Sequence, residues 1–86
     1  VRDEALQRYV NRVGSWLAMH TERPDLPWRF GVIDSSDVNA FAMPGGTIVI
    51  TAGLYDRLRD ESELAAVLAH EISHVVEKHQ VKAIQK

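Results

Sequence analysis

Apolar positions along this chain follow two spacings, one helical and one extended. From about Asp3 to His20, Leu6, Val10, Val13 and Leu17 recur at three- and four-residue steps, with Tyr9 and Trp16 alongside. That period predicts an amphipathic helix with one buried face. Thr21 to Pro27 holds two prolines, which end it. The next stretches, Trp28 to Asp34, Val38 to Met43 and Thr47 to Thr51, are short and rich in β-branched and aromatic residues. They read as strands. Asp34 to Asp37 is a turn between the first two, and Pro44-Gly45-Gly46 is the hairpin connection between the second and third.

Ala52-Gly53-Leu54 leaves the sheet, and Leu54 to Arg59 has room for one or two helical turns. A second long helix starts at Asp60, which can cap it, with Glu63 in the acidic position of a capping box. Without Gly or Pro to stop it, this helix runs through Val76 to at least His79. The order helix, three strands, helix predicts an α+β unit with its helices against one face of a small sheet.

Composition narrows the class. The 86 residues are one domain at most, with a core near the lower limit of independent stability. An apolar share of 45% is that of a globular protein and argues against disorder. The net charge of -2, with no Lys/Arg cluster, gives no footprint for nucleic acid or an anionic membrane. Without cysteine there is no disulfide framework and no thiolate metal site. No apolar run approaches the roughly 20 residues that span a bilayer. The text opens and closes inside apparently helical sequence, at Val1 and Lys86, which suggests a piece of something longer. Any membrane association is then expected only through segments outside this chain.

The second helix carries the chemistry. His70-Glu71-Ile72-Ser73-His74 is the pattern HExxH. Helical residues turn by about 100° each, so two residues four apart are offset by only about 40°. His70 and His74 therefore leave one face a turn apart, where both imidazoles can reach one ion at roughly 2.0–2.1 Å. Glu71 lies on the flank of that face, about 60° from His74. There it is placed to take a proton from the attacking water and pass one to the leaving amine. With Leu64 set to zero on a helical wheel, Leu68, Ile72, Val75 and Ala65 fall between about 0° and 100°, and the histidines fall near 240° and 280°. The helix can bury one side under the sheet and turn the pair toward a cleft. Two histidines on an ordinary solvated face are the bland alternative.

The remaining polar residues supply no good third ligand. His79 falls within the apolar stripe near 60° and reads as a packed or capping residue. The arrangement with a third histidine six residues beyond the second needs a Gly to turn the chain, whereas Val75 to Lys78 continue the helix. His20 ends the first helix, where the dipole favours a cation. Glu77 lies one turn beyond the pair and points past it, and Asp34, Asp37 and Asp56 suit turns and caps. A catalytic zinc keeps three protein ligands and one open position. The third ligand is therefore expected on a segment after Lys86.

Asn39-Ala-Phe-Ala-Met-Pro-Gly-Gly46 is an extended segment closed by two glycines. Endopeptidases often hold a substrate as an added strand along a sheet edge, and the small Ala40 and Ala42 would allow that approach. Alternatively, Phe41 and Met43 are core residues and the glycines only a turn.

With these residues named, the chain resembles the metallopeptidase family that contains HtpX, the CAAX prenyl endopeptidases and the BepA-like enzymes, peptidase family M48. The likeness covers nearly the whole chain. It rests on Asn39 to Gly46, on Ile48-Val49-Ile50 with Gly53-Leu54, and on Glu63 to His74. It implies a zincin-like domain of the gluzincin type, truncated here before its third ligand, a glutamate on a later helix. In this chain the resemblance makes His70 and His74 the zinc ligands and Glu71 the general base. It gives Asn39, Ala40 and Phe41 a place lining the substrate cleft. The Pro44-Gly45-Gly46 variant looks more like the soluble envelope members than HtpX. That implies a periplasmic, lipid-anchored or free, quality-control protease acting on proteins or peptides.

The expectation is thus a zinc metalloendopeptidase whose 86-residue piece is inactive or nearly so alone. The alternative from another class is a chaperone-like or scaffold domain that binds chains along the strand edge, with zinc structural or absent. A small interaction domain with coincidental histidines is a third.

Overall fold

A computed structural model describes the backbone of residues 4–84 and the side chains as far as Lys78. The expected helix start at Asp3 and the side chain of His79 lie outside the described residues. The elements are α1 (Glu4–Ala18), β1 (Arg29–Ile33), β2 (Ala40–Met43), β3 (Thr47–Thr51), α2 (Ala52–Tyr55) and α3 (Glu61–Ile84). The unit is α+β, as the sequence pattern implies. The strand predicted from Val38 starts at Ala40, and the one predicted from Trp28 starts at Arg29. Trp28 instead turns its indole Nε1 to the Arg23 carbonyl at 2.8 Å and stacks over Phe30 at 6.2 Å.

The sheet order is β1-β3-β2, with β1 parallel and β2 antiparallel to β3. The most buried strand, β3, takes the centre, where both its edges are paired. Gly45 and Gly46 close the β2–β3 hairpin with φ of 96° and 115°, a region costly for any residue with a Cβ. Phe30, Val32, Ile48 and Ile50 point to one face, where they bury with Val10 of α1 and with Leu64, Leu68, Ile72 and Val75 of α3. Both helices cover this face. On the other, Ile33, Phe41 and Met43 are exposed.

Helix α1 lies against β1 and α3 against β2. Gly14, in the middle of α1, allows the first contact. A Cβ there would stand 2.3 Å from Cγ of Phe30, so only glycine lets the ring lie against the helix. Ala40 and Ala42 pack against the core on the helix side. Their small size lets α3 approach β2.

Candidate metal centre

Local sequence fixes where α3 begins and how it is rotated. Asp60 accepts the Glu63 amide at 3.0 Å, and Glu63 reaches back to the Arg59 amide at 2.7 Å. This is the expected capping exchange with the return bond moved one residue outward. Burial of Leu64, Leu68, Ile72 and Val75, each at most 3% exposed, then sets the rotation. The opposite side of the helix faces solvent and carries His70 and His74, both exposed. Glu71, between the two sides, is half-buried.

The two imidazoles converge. Their Nε2 atoms are 3.1 Å apart, and the rings meet edge to face at 85° with centroids 4.6 Å apart. At that separation one ring nitrogen donates and the other accepts. Two nitrogens 3.1 Å apart can also both lie about 2.0–2.1 Å from a single ion, so the pair fits zinc in donor type and spacing. Among the described residues no third His, Asp or Glu joins them in a metal-holding cluster.

Other candidates are engaged elsewhere. His20 holds the Trp16 carbonyl at 2.8 Å beyond the end of α1, with its ring against the indole. Asp37 sits in the loop before β2, and Asp56 is the C-cap of α2. A groove of about 460 Å³ runs between the end of α1 and α3, lined by Leu17, His20, Thr21, Ile72, Val76 and Glu77 among others. His70 and His74 do not line it. They occupy open surface, because no described element stands over that side of α3.

The segment from Asn39 forms the outer strand of the sheet. Asn39 exchanges bonds with Thr51, whose amide donates to the Asn39 carbonyl at 3.0 Å and whose Oγ1 accepts the Asn39 amide at 3.1 Å. In an antiparallel pair, inward and outward backbone groups alternate. Asn39 and Phe41 therefore turn theirs toward β3, and Ala40 and Ala42 turn theirs outward. The Ala40 amide is taken by the Asn39 carboxamide at 2.8 Å. Phe41 and Met43 are 41% and 47% exposed and are not core residues.

Sequence reasoning missed the parts played by Thr51, Gln7 and Asn11. Thr51 looks like an ordinary β-branched strand residue, and the two amides look like ordinary polar positions on α1. Only the tertiary structure reveals their partners.

Comparison with known proteins places the chain. The family model described as Peptidase family M48 matches residues 4–86. The chain belongs to peptidase family M48. It is similar to the beta-barrel assembly-enhancing protease of Escherichia coli (strain K12), with 38% identity over 85 residues, covering 99% of this chain and 18% of that protein. The mitochondrial metalloendopeptidase OMA1 of Schizosaccharomyces pombe is 38% identical over 76 residues, covering 88% of this chain and 23% of its own length. OMA1 of Arabidopsis thaliana is 36% identical over 84 residues, 98% of this chain and 17% of that protein. The chain thus spans about a fifth of the length of these M48 relatives. Among the described residues no helix is long and apolar enough to cross a membrane.

Proposed function

We propose that this chain is the zinc-binding part of a gluzincin-type metalloendopeptidase. The observation that carries the reading is the approach of His70 Nε2 to His74 Nε2 at 3.1 Å within an M48 chain. His70 and His74 hold the ion. When bound, zinc supplies Lewis acidity that polarises a peptide carbonyl and lowers the pKa of water. The Glu71 carboxylate accepts the proton of the attacking water and delivers one to the leaving amine nitrogen. The remaining ligand is a glutamate from a later helix, outside residues 1–86.

The substrate is an extended peptide or an unfolded protein segment. It lies along the outer edge of β2, where the Ala40 carbonyl and the Ala42 amide and carbonyl are directed outward, beside Asn39 and Phe41. Backbone recognition of this kind tolerates many sequences. We place the parent protein in the cell envelope, in protein quality control. That placement rests on likeness to proteases named for beta-barrel assembly, whereas the OMA1 relatives are named as mitochondrial.

With only two imidazoles, the 86-residue chain is expected to hold zinc weakly and hydrolyse little. The test is digestion of labelled casein by the full-length gene product. The reading predicts hydrolysis abolished by chelator, restored by zinc, and reduced about 10²–10⁴-fold by Glu71→Gln. A chaperone-like domain would bind casein equally well with chelator present and leave it uncut.

A further inference from the structure

The strand β2 can offer Ala40 and Ala42 to a peptide only while its phase is fixed, because a slip of one residue exchanges inward and outward groups. Two features fix it, and neither belongs to the metal centre. The Thr51 hydroxyl is buried at 1% exposure, accepts the amides of Asn39 and Leu54, each at 3.1 Å, and donates to the Asp37 carbonyl. One oxygen thereby ties the loop before β2, the first residue of its pairing with β3, and the start of α2. Gly53 completes the hold from the other side. Its amide donates to the Ser35 carbonyl at 2.9 Å, and a Cβ there would stand 2.3 Å from the Ser36 carbonyl oxygen and 2.4 Å from that of Asp37. The loop from residue 34 to 38 is pressed onto this glycine and delivers Asn39 in one position.

We propose that Thr51 is a positioning residue for substrate, setting through Asn39 which backbone groups of β2 meet a bound peptide. The inference rests on the strand-addition reading given above and names the residue that makes it possible. Thr51 touches neither the metal ligands nor the peptide. Its hydroxyl aligns Asn39, and Asn39 fixes the alternation that follows. Loss of the hydroxyl therefore weakens substrate capture and leaves the zinc ligands and the chemical step in place.

The experiment is steady-state hydrolysis of labelled casein by the full-length protein and three variants, with zinc content measured in each. Thr51→Val keeps the shape and removes the hydroxyl. It should raise KM about tenfold while kcat changes by less than about twofold, and Thr51→Ser should restore KM to within about twofold of the parent. If Thr51→Val does not fold, Thr51→Ala carries the same test. Ala42→Pro removes an outward amide without breaking the ladder and should also raise KM. If Ala42→Pro raises KM but the hydroxyl-free variants lower only the melting temperature, Thr51 is structural and the inference is overturned alone. An unchanged KM in Ala42→Pro would remove the strand-addition reading, and this inference with it.

Discussion

The two edges of the sheet are treated in opposite ways. Along β1, side chains of α1 occupy the outward groups. Gln7 donates to the Val32 carbonyl at 2.7 Å and accepts the Val32 amide at 3.0 Å, and Asn11 accepts the Phe30 amide at 3.1 Å. Along β2, the bond described on the outer side is the short local one from the Ala40 amide to Asn39. An unprotected strand edge invites pairing with another chain, and proteins ordinarily block it. Here one edge is sealed by a helix and the other is left available next to the helix that carries the histidines. The contrast separates the part that holds the fold together from the part proposed to meet substrate.

The largest effect is expected on the sealed edge. Gln7→Leu would strand both the amide and the carbonyl of Val32, a loss of about 2–4 kcal/mol readable by urea denaturation. Gly14→Ala should follow, at about 1–3 kcal/mol, because the new methyl collides with the Phe30 ring beneath the same edge. On the open edge, Ala42→Pro should cost only about 1 kcal/mol, from the added ring crowding α3 and not from a lost ladder bond. A cost as large as that of Gln7→Leu would mean that β2 is held from outside after all, and the contrast would fail.

Smallest is Tyr9→Phe, which removes the bond from the phenol to Glu61 at 2.8 Å. That hydrogen bond, and secondarily desolvation, raises the Tyr9 pKa above its usual value. The protonated phenol is therefore favoured by folding. Its contribution is present below about pH 10 and is lost as pH rises through the higher folded value. The group is mostly exposed, so the effect is at most about 0.5 kcal/mol. Melting curves of the parent and Tyr9→Phe should converge as the pH passes above 10.

Which parts were legible in the sequence follows the same division. Leu64, Leu68, Ile72 and Val75 announced their buried face by spacing, and the histidines announced theirs by lying opposite. The hairpin was legible because Gly45 and Gly46 permit a turn that other residues resist. The parallel pairing of β1 with β3 was not, since strand patterns state which side is buried and not which strand is the neighbour. Gln7 and Asn11 were hidden for a related reason. A polar residue flanking an apolar helical stripe has the same signature whether it meets water or a strand. Thr51 was hidden because its β-branched shape already accounted for its presence in a strand. What stands opposite His70 and His74 was not legible either, because helical spacing gives the direction of two side chains and not what faces them.

Everything functional depends on the two rings on the solvent side of α3 accepting one divalent ion together. Zinc soaked into crystals of the full-length protein tests this directly. The account predicts a single ion with His70 Nε2 and His74 Nε2 each about 2.0–2.1 Å away. Rings turned apart, or an ion bound by other residues with this pair left empty, would contradict it.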